Sequence, residues 1–345
     1  MKKTIYFHIG QTKTATTTLQ AFFSDNRNWL GEHGICYPLC PPGHPIQSQH
    51  RFLVEPLAGL HAPYPDRLPA WEYVRTQIEQ TSHTKVLISE EVFWHLFERR
   101  PDEKVSILEW VREKFQPHEV KVICYLRRQD KWIESWFNQL TKTDVNHYSR
   151  MSYADFILAY ENQGMLDYNV AIDPWARAFG EKNLIVRSFE KSQFINGDII
   201  QDFLSILGIQ DLTNTTRPQD QQVSLANSAC EISNIFNSTP RARDFKPKFM
   251  DIVRAFDDGV KDRRRFTPRE IVVALLKTYE NSNERLAQRF QAPLPTFFDM
   301  GMSDFEVGEY GGISTQELAR FMIHIFQDQQ MQIRQLRKRL SDLGQ

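Results

Sequence analysis

His8-Ile9-Gly10-Gln11-Thr12-Lys13-Thr14-Ala15-Thr16-Thr17-Thr18-Leu19-Gln20 is the stretch that decides how this chain is read. Ahead of its turn, Lys3 to Ile9 is short, apolar and partly β-branched, which predicts a strand. Behind it, Leu19, Phe22, Phe23 and Leu30 recur near helical spacing, which predicts a helix over Thr14 to Leu30. A helix that starts at such a turn offers unpaired N–H groups and the positive end of its dipole to an anion. Lys13 adds a point charge, and the hydroxyls of Thr14, Thr16, Thr17 and Thr18 add short donors. One threonine would be enough to cap the helix. Four beside a lysine point to a bound anion instead.

The loop is shorter than a nucleoside-triphosphate loop. That motif needs G-x-x-x-x-G-K-[ST], whereas Lys13 lies three residues after Gly10 and follows Thr12 instead of a glycine. The chain also shows no obvious Asp at the end of an apolar strand to hold Mg²⁺. A kinase or other phosphotransferase is therefore the weaker reading.

Further along, Lys85 to Ser89, Glu119 to Leu126 and Asn183 to Arg187 read as strands. Asp102 to Phe115 reads as an amphipathic helix with Val105, Leu108, Val111 and Phe115 on one face. Gln129 to Leu140 and Asp198 to Leu207 read as helices, the second stopped by Gly208. Residues 38 to 69 hold eight prolines and predict a long ordered loop. Beyond about residue 220 the pattern is mostly helical. Ser314 to Leu340 is increasingly basic, with Ile333, Leu336 and Leu340 spaced for packing against the body or against a second copy in a homodimer. Strands alternating with helices predict an α/β fold with a parallel sheet covered on both faces. The expected organisation is one domain over 1–310 and a helical extension over 311–345. Ligands of such sheets sit at the carboxyl ends of the strands, so the segments after Ile9, Ile88 and Leu126 are the ones to inspect.

After the third of these strands the chain reads Leu126-Arg127-Arg128-Gln129, with Ser135 about two turns into the next helix. A guanidinium donates two parallel bonds to a phosphate, which makes Arg127 a candidate anion ligand, with Arg128 as its alternative. The Lys13 loop resembles the 5′-phosphosulfate loop of PAPS-dependent sulfotransferases (PAPS is 3′-phosphoadenosine 5′-phosphosulfate), whose pattern is close to P-K-[ST]-G-T-[ST]-x-L. Lys13, Thr14, Thr16, Thr17 and Leu19 match it. Thr12 stands where Pro is common. Ala15 stands where Gly is common, a change that fits if Ala15 keeps a negative φ. The Arg127 and Ser135 pair resembles the same family's 3′-phosphate segment. The runs Leu184 to Gly208 and Lys277 to Phe290 are similar to bacterial carbohydrate sulfotransferases.

The resemblance implies a three-layer, P-loop-like fold and transfer of sulfate from PAPS to a carbohydrate or glycolipid hydroxyl, releasing PAP. It implies that Gln11, Thr12, Lys13, Thr14, Ala15, Thr16, Thr17, Thr18, Arg127 and Ser135 bind the donor. No metal is required, since Lys13, Arg127 and backbone donors supply the positive charge. A non-catalytic PAP- or glycan-binding module is a further alternative. The acceptor hydroxyl needs a base. Ile88-Ser89-Glu90-Glu91 looks like the family's S-x-E segment, which makes Glu91 the favoured base and Glu90 its substitute, although acidic residues also suit a helix start for electrostatic reasons alone. His50, in the Pro-rich loop, is the rival. Trp94, Phe97, Trp132, Trp136 and Phe137 could stack on a sugar or on adenine, or simply fill the core.

Composition narrows the field. Hydrophobic residues make up 41% and charged residues 25%, the balance of a globular chain. A net charge of −1 supplies no broad positive field for nucleic acid. After Met1-Lys2-Lys3 the apolar run is only Ile5-Tyr6-Phe7, too short for a secretory leader, so a cytoplasmic location is expected. No apolar run has the length of a membrane span. Cys36, Cys40 and His44 form a C-x3-C-x3-H run without the second ligand pair of a usual zinc site. They read as loop residues.

Overall fold

The computed structural model describes residues 1–59, 67–96, 101–143, 145–219, 224–257 and 264–343. Five strands form one parallel sheet: β1 (Thr4–His8), β2 (Ile35–Cys36), β3 (Lys85–Ser89), β4 (Glu119–Leu126) and β5 (Leu184–Ser188), in the order β2-β3-β1-β4-β5. Central β1 pairs Phe7 with Ile88 on one side and with Val122 on the other. The chain thus winds to β3 and β2 on one side of β1, then to β4 and β5 on the other. The loop after β1 emerges at this reversal, where open α/β sheets bind ligands.

The helices are α1 (Thr16–Asp25), α2 (Arg27–Glu32), α3 (Arg51–Val54), α4 (Arg67–Gln80), α5 (Lys104–Lys114), α6 (Gln129–Thr143), α7 (Tyr153–Asn162), α8 (Tyr168–Phe179), α9 (Ile199–Ile206), α10 (Asn227–Asn237), α11 (Ala242–Asp257), α12 (Arg269–Arg289) and α13 (Thr315–Leu343). Side chains alternate across the pleat. On one face Tyr6, Leu87, Ile123 and Tyr125 pack with Leu19, Phe22 and Phe23 of α1 and with Phe203 and Leu204 of α9. On the other, Phe7 meets Phe93, Phe115 and Trp175 edge-on at 4.8–5.9 Å. The sheet is therefore the middle of three layers. Both its faces are dry, which is why its strands read as continuous apolar runs.

The chain divides into two compact units. The first, Met1–Gln129 with Glu161–Gln221 and Thr278–Met300, holds the whole sheet. The second, Asp130–Tyr160 with Gln222–Lys277 and Gly301–Gln345, is helical. Within the second unit, buried Arg265 pairs with Asp130 and Glu134 of α6, both at 3.0 Å. There α13 is anchored by Phe321, which packs on Phe249 and Phe256, and by a 2.6 Å bridge from Lys248 to Asp328.

Several expectations are revised. The helix expected over Thr14 to Leu30 is two helices. Asn26, at φ −108°, breaks it and turns its side-chain amide onto the carbonyls of Phe22 and Thr216. On α5, Val105 is 51% exposed and Ile107 joins Leu108 and Val111 in the core. The Pro-rich stretch contains α3 and runs into α4, whose Pro69 sits in the first turn, where a missing N–H costs nothing. Residues 60–66 of that stretch, and Phe97, lie outside the described residues. Ile333, Leu336 and Leu340 are 41%, 57% and 70% exposed, so they are not packed into the body. No helix among the described residues is long and apolar enough to cross a membrane.

Candidate functional site

The site grows from the backbone of the loop after β1. Gly10 has φ +60°, and a Cβ built on it would lie 2.8 Å from Glu91 Cβ and 3.0 Å from Thr16 Cγ2. Glycine is thus required twice, for conformation and for space. Its bare backbone lets Glu91 lie directly against the start of the loop. Lys13 follows at φ 69° and Ala15 at φ 56°, ψ 25°. Left-handed and ordinary residues therefore alternate from Thr12 to Thr16, a geometry that gathers backbone N–H groups into a concave anion cradle.

Ala15 does not meet the condition of a negative φ on which its replacement of glycine is read as fitting. The loop keeps the left-handed turn that glycine would take and carries the strain of a Cβ there, about 1–2 kcal/mol. As the residue capping α1, Ala15 supplies no side-chain acceptor. The helix start therefore keeps the donor character that suits an anion.

Neighbouring strand ends hold the loop in place. Gln11 is fully buried, and its Oε1 accepts the Arg127 backbone N–H at 2.8 Å. Arg127 Nη1 donates to the Lys13 carbonyl at 3.2 Å. These two bonds tie the loop to the end of β4. On the other side Thr12 Oγ1 bonds His95 Nε2 at 2.9 Å, tying it to the short 3₁₀ turn Glu91–His95 after β3. Thr14 Oγ1 donates to the Gln11 carbonyl at 2.5 Å. Its proton is therefore spent on shaping the loop, while Thr16, Thr17 and Thr18 form the first turn of α1.

The carboxylates after β3 differ sharply. Glu90 is fully buried. Its N–H donates to the His8 carbonyl, and its Oε1 accepts from Val92 N–H at 3.0 Å. Burial, helped by the charge of Glu91, pushes its carboxyl well above the ordinary 4.5. Glu91 is half-buried, and its Oε2 accepts from Gln20 Nε2 at 2.6 Å.

His50 is fully buried under the end of β3. Its Nδ1 accepts from Ser89 N–H at 3.1 Å, and its Nε2 lies 3.0 Å from the Pro38 carbonyl. Burial lowers its pKa to about 4. With one nitrogen accepting and the other donating, His50 pins the Pro-rich loop to the sheet and has no lone pair left for an acceptor proton. His8 bonds Ser89 Oγ at 2.8 Å through Nδ1, and burial lowers its pKa to about 3.

Five of the nine buried side-chain polar atoms without a partner among the described residues gather in one part of the sheet. Gln11 Nε2, His8 Nε2, Glu90 Oε2, Gln20 Oε1 and Trp94 Nε1 are buried without a partner among the described residues. All belong to the carboxyl ends of β1 and β3 or to the segments that follow them. Orphaned buried groups each cost about 1–3 kcal/mol. Such a concentration marks a place for polar contacts that the described residues do not make. Sequence reasoning missed Gln20 and His95. Gln20 stands inside the decisive run without a motif position, and nothing in the sequence links His95 to Thr12.

Arg128 is 1% exposed and donates to the Asp299 carbonyl at 2.6 Å, a structural task that leaves Arg127 as the arginine near the loop. Ser135 is buried on α6, in the helical unit. Trp132 and Phe137 are core residues, and Trp136 Nε1 donates to Tyr160 Oη at 2.7 Å. His44 bonds Glu55 at 3.2 Å, Cys40 donates to the Gln49 carbonyl, and Cys36 lies on β2. Among the described residues no group of three His, Cys, Asp or Glu side chains is arranged to hold a metal.

Two predictions follow from this geometry. Ala15→Gly removes a left-handed Cβ and should raise stability by roughly 0.5–1 kcal/mol after glycine's entropy cost. Urea unfolding measures this, and a loss of stability would contradict the strained turn. Glu90 binds its proton more tightly in the fold than in the unfolded chain, so its contribution is full below about pH 4.5 and fades as pH rises. Glu90→Gln should therefore gain stability over wild type between pH 5 and pH 8, and a constant difference would contradict the buried acid.

No family model matches the chain. An uncharacterized protein of Archaeoglobus fulgidus is 39% identical over 89 residues, which are 26% of this chain and 22% of that protein's length. A crystal structure of a sulfotransferase from Alicyclobacillus acidocaldarius superposes with a TM-score of 0.45 at 11% identity, covering 86% of this chain and 99% of that one.

Proposed function

We propose that this chain is a sulfotransferase that moves a sulfuryl group from PAPS to a hydroxyl of a carbohydrate or glycolipid. The observation that carries the reading is the loop Gly10–Ala15. Its left-handed residues, its lysine and the uncapped start of α1 meet at the sheet's reversal point, beside a half-buried carboxylate. The motif spacing around Lys13 and Arg127 supplies the donor's identity.

PAPS is a substrate with two anionic groups. Its 5′-phosphosulfate would lie on the loop's N–H groups, Lys13 and the hydroxyls of Thr16, Thr17 and Thr18, with Gln11, Thr12, Thr14 and Ala15 shaping the cradle. Arg127 would take the 3′-phosphate, the role that its motif spacing to Ser135 implies. The orphaned Gln11 amide fits this assignment, because it is a buried donor without an acceptor among the described residues.

In the reaction the acceptor oxygen bonds to sulfur as the bond from sulfur to the 5′-phosphate oxygen breaks. The hydroxyl proton passes to Glu91, and PAP leaves with the extra negative charge. Lys13 offsets that charge where it develops. In-line placement of the two oxygens does much of the work, as in phosphoryl transfer. Glu91 is the better base of the pair, since Glu90 is fully buried and Glu91 is partly exposed beside the loop.

The assignment is tested with two variants. Lys13→Ala should lower transfer of sulfate from PAPS to glycan acceptors by roughly 10²–10³-fold while the protein stays folded. Arg127→Ala should weaken PAP binding by roughly 10–100-fold and adenosine 5′-phosphosulfate binding much less. Normal transfer in the first variant would overturn Lys13's role. Equal losses for the two ligands in the second would overturn the 3′-phosphate role.

A further inference from the structure

Gln20 sits on the inner side of α1, 1% exposed, seven residues after Lys13. Its Nε2 donates to Glu91 Oε2 at 2.6 Å, while its own Oε1 is buried with no partner among the described residues. A buried amide with one unsatisfied atom is costly, and a leucine or methionine of similar size would avoid that cost. The arrangement therefore has no rationale in apolar packing. It does have one in geometry. Glu91 follows β3, whereas Gln20 belongs to the helix that leaves the Lys13 loop. The bond fixes the carboxylate against the same rigid element that carries the loop. It occupies one oxygen of Glu91, while Oε1 makes no hydrogen bond among the described residues. Gly10 closes the arrangement by leaving room for the Glu91 side chain.

We infer that Gln20 is a positioning residue. It holds the Glu91 carboxylate in register with the Lys13 loop, so that its uncommitted oxygen receives the proton of the acceptor hydroxyl. This rests on the sulfotransferase reading with Glu91 as base, and it adds a residue to which no motif assigns a role.

The test is a double-mutant cycle on the full chain, using PAPS and an accepted glycan. Gln20→Met keeps the side chain's bulk and removes the donor. It should lower kcat by roughly 10–100-fold and leave the acceptor KM, PAP affinity and thermal midpoint near wild-type values. Combined with Glu91→Gln it should cost little more than Glu91→Gln alone, because the two act as one unit. An unchanged kcat in Gln20→Met, or losses that multiply in the double variant, would overturn the role of Gln20 while leaving the sulfotransferase reading intact. A wild-type protein that binds no PAP and transfers no sulfate would overturn both.

Discussion

The pinning of the loop Gly10–Ala15 between two strand ends is the constraint on which the site depends. The loop has two left-handed residues besides glycine, and each costs energy that a free turn would release by relaxing. It holds because Gln11 and Arg127 bind it to the end of β4 while Thr12 and His95 bind it to the turn after β3. Those strands flank β1, so their order in the sheet decides which side chains reach the loop.

Burial then sorts the chemistry. Four titratable side chains stand at the ends of β1 and β3 or pack beneath them, yet they are not equivalent. His8 and His50 are taken out of water and held neutral. Burial, with the charge of Glu91, pushes the Glu90 carboxyl up instead. Only Glu91 stays half-exposed, with one oxygen anchored by an amide. Within a few residues the fold separates groups that maintain the sheet from a carboxylate able to accept a proton. Among the described residues, a loop carrying a lysine stands beside a partly exposed carboxylate, an arrangement suited to in-line group transfer.

Much of this was legible in the sequence because the sheet is buried on both faces. Apolar runs such as Val120 to Leu126 can then be little else than central strands, and all four long strands lie where the pattern puts them. The loop and its lysine were legible because they are contiguous. What stayed hidden is what contiguity cannot show. Two-residue β2 is too short for any periodicity. Helices α4 and α8 carry Pro69 and Pro174, which read as breakers until their positions in the helix are known. His50 looked like a base because a histidine in a loop reads the same whether it is exposed or sealed by two backbone bonds. The left-handed Ala15 was unexpected because sequence shows a residue's preference but not the strain its neighbours impose. Gln20 and His95 matter through partners 71 and 83 residues away, separations that no local pattern encodes.

The central claim is that the Lys13 loop is made for a 3′-phosphorylated adenosine donor and not for a nucleoside triphosphate. Calorimetric titration of the purified chain with PAP, set against ATP with Mg²⁺, tests it most directly. PAP should bind clearly and saturably, and ATP little or not at all. Binding of ATP alone would contradict the donor assignment, and binding of neither would show that the loop serves another purpose.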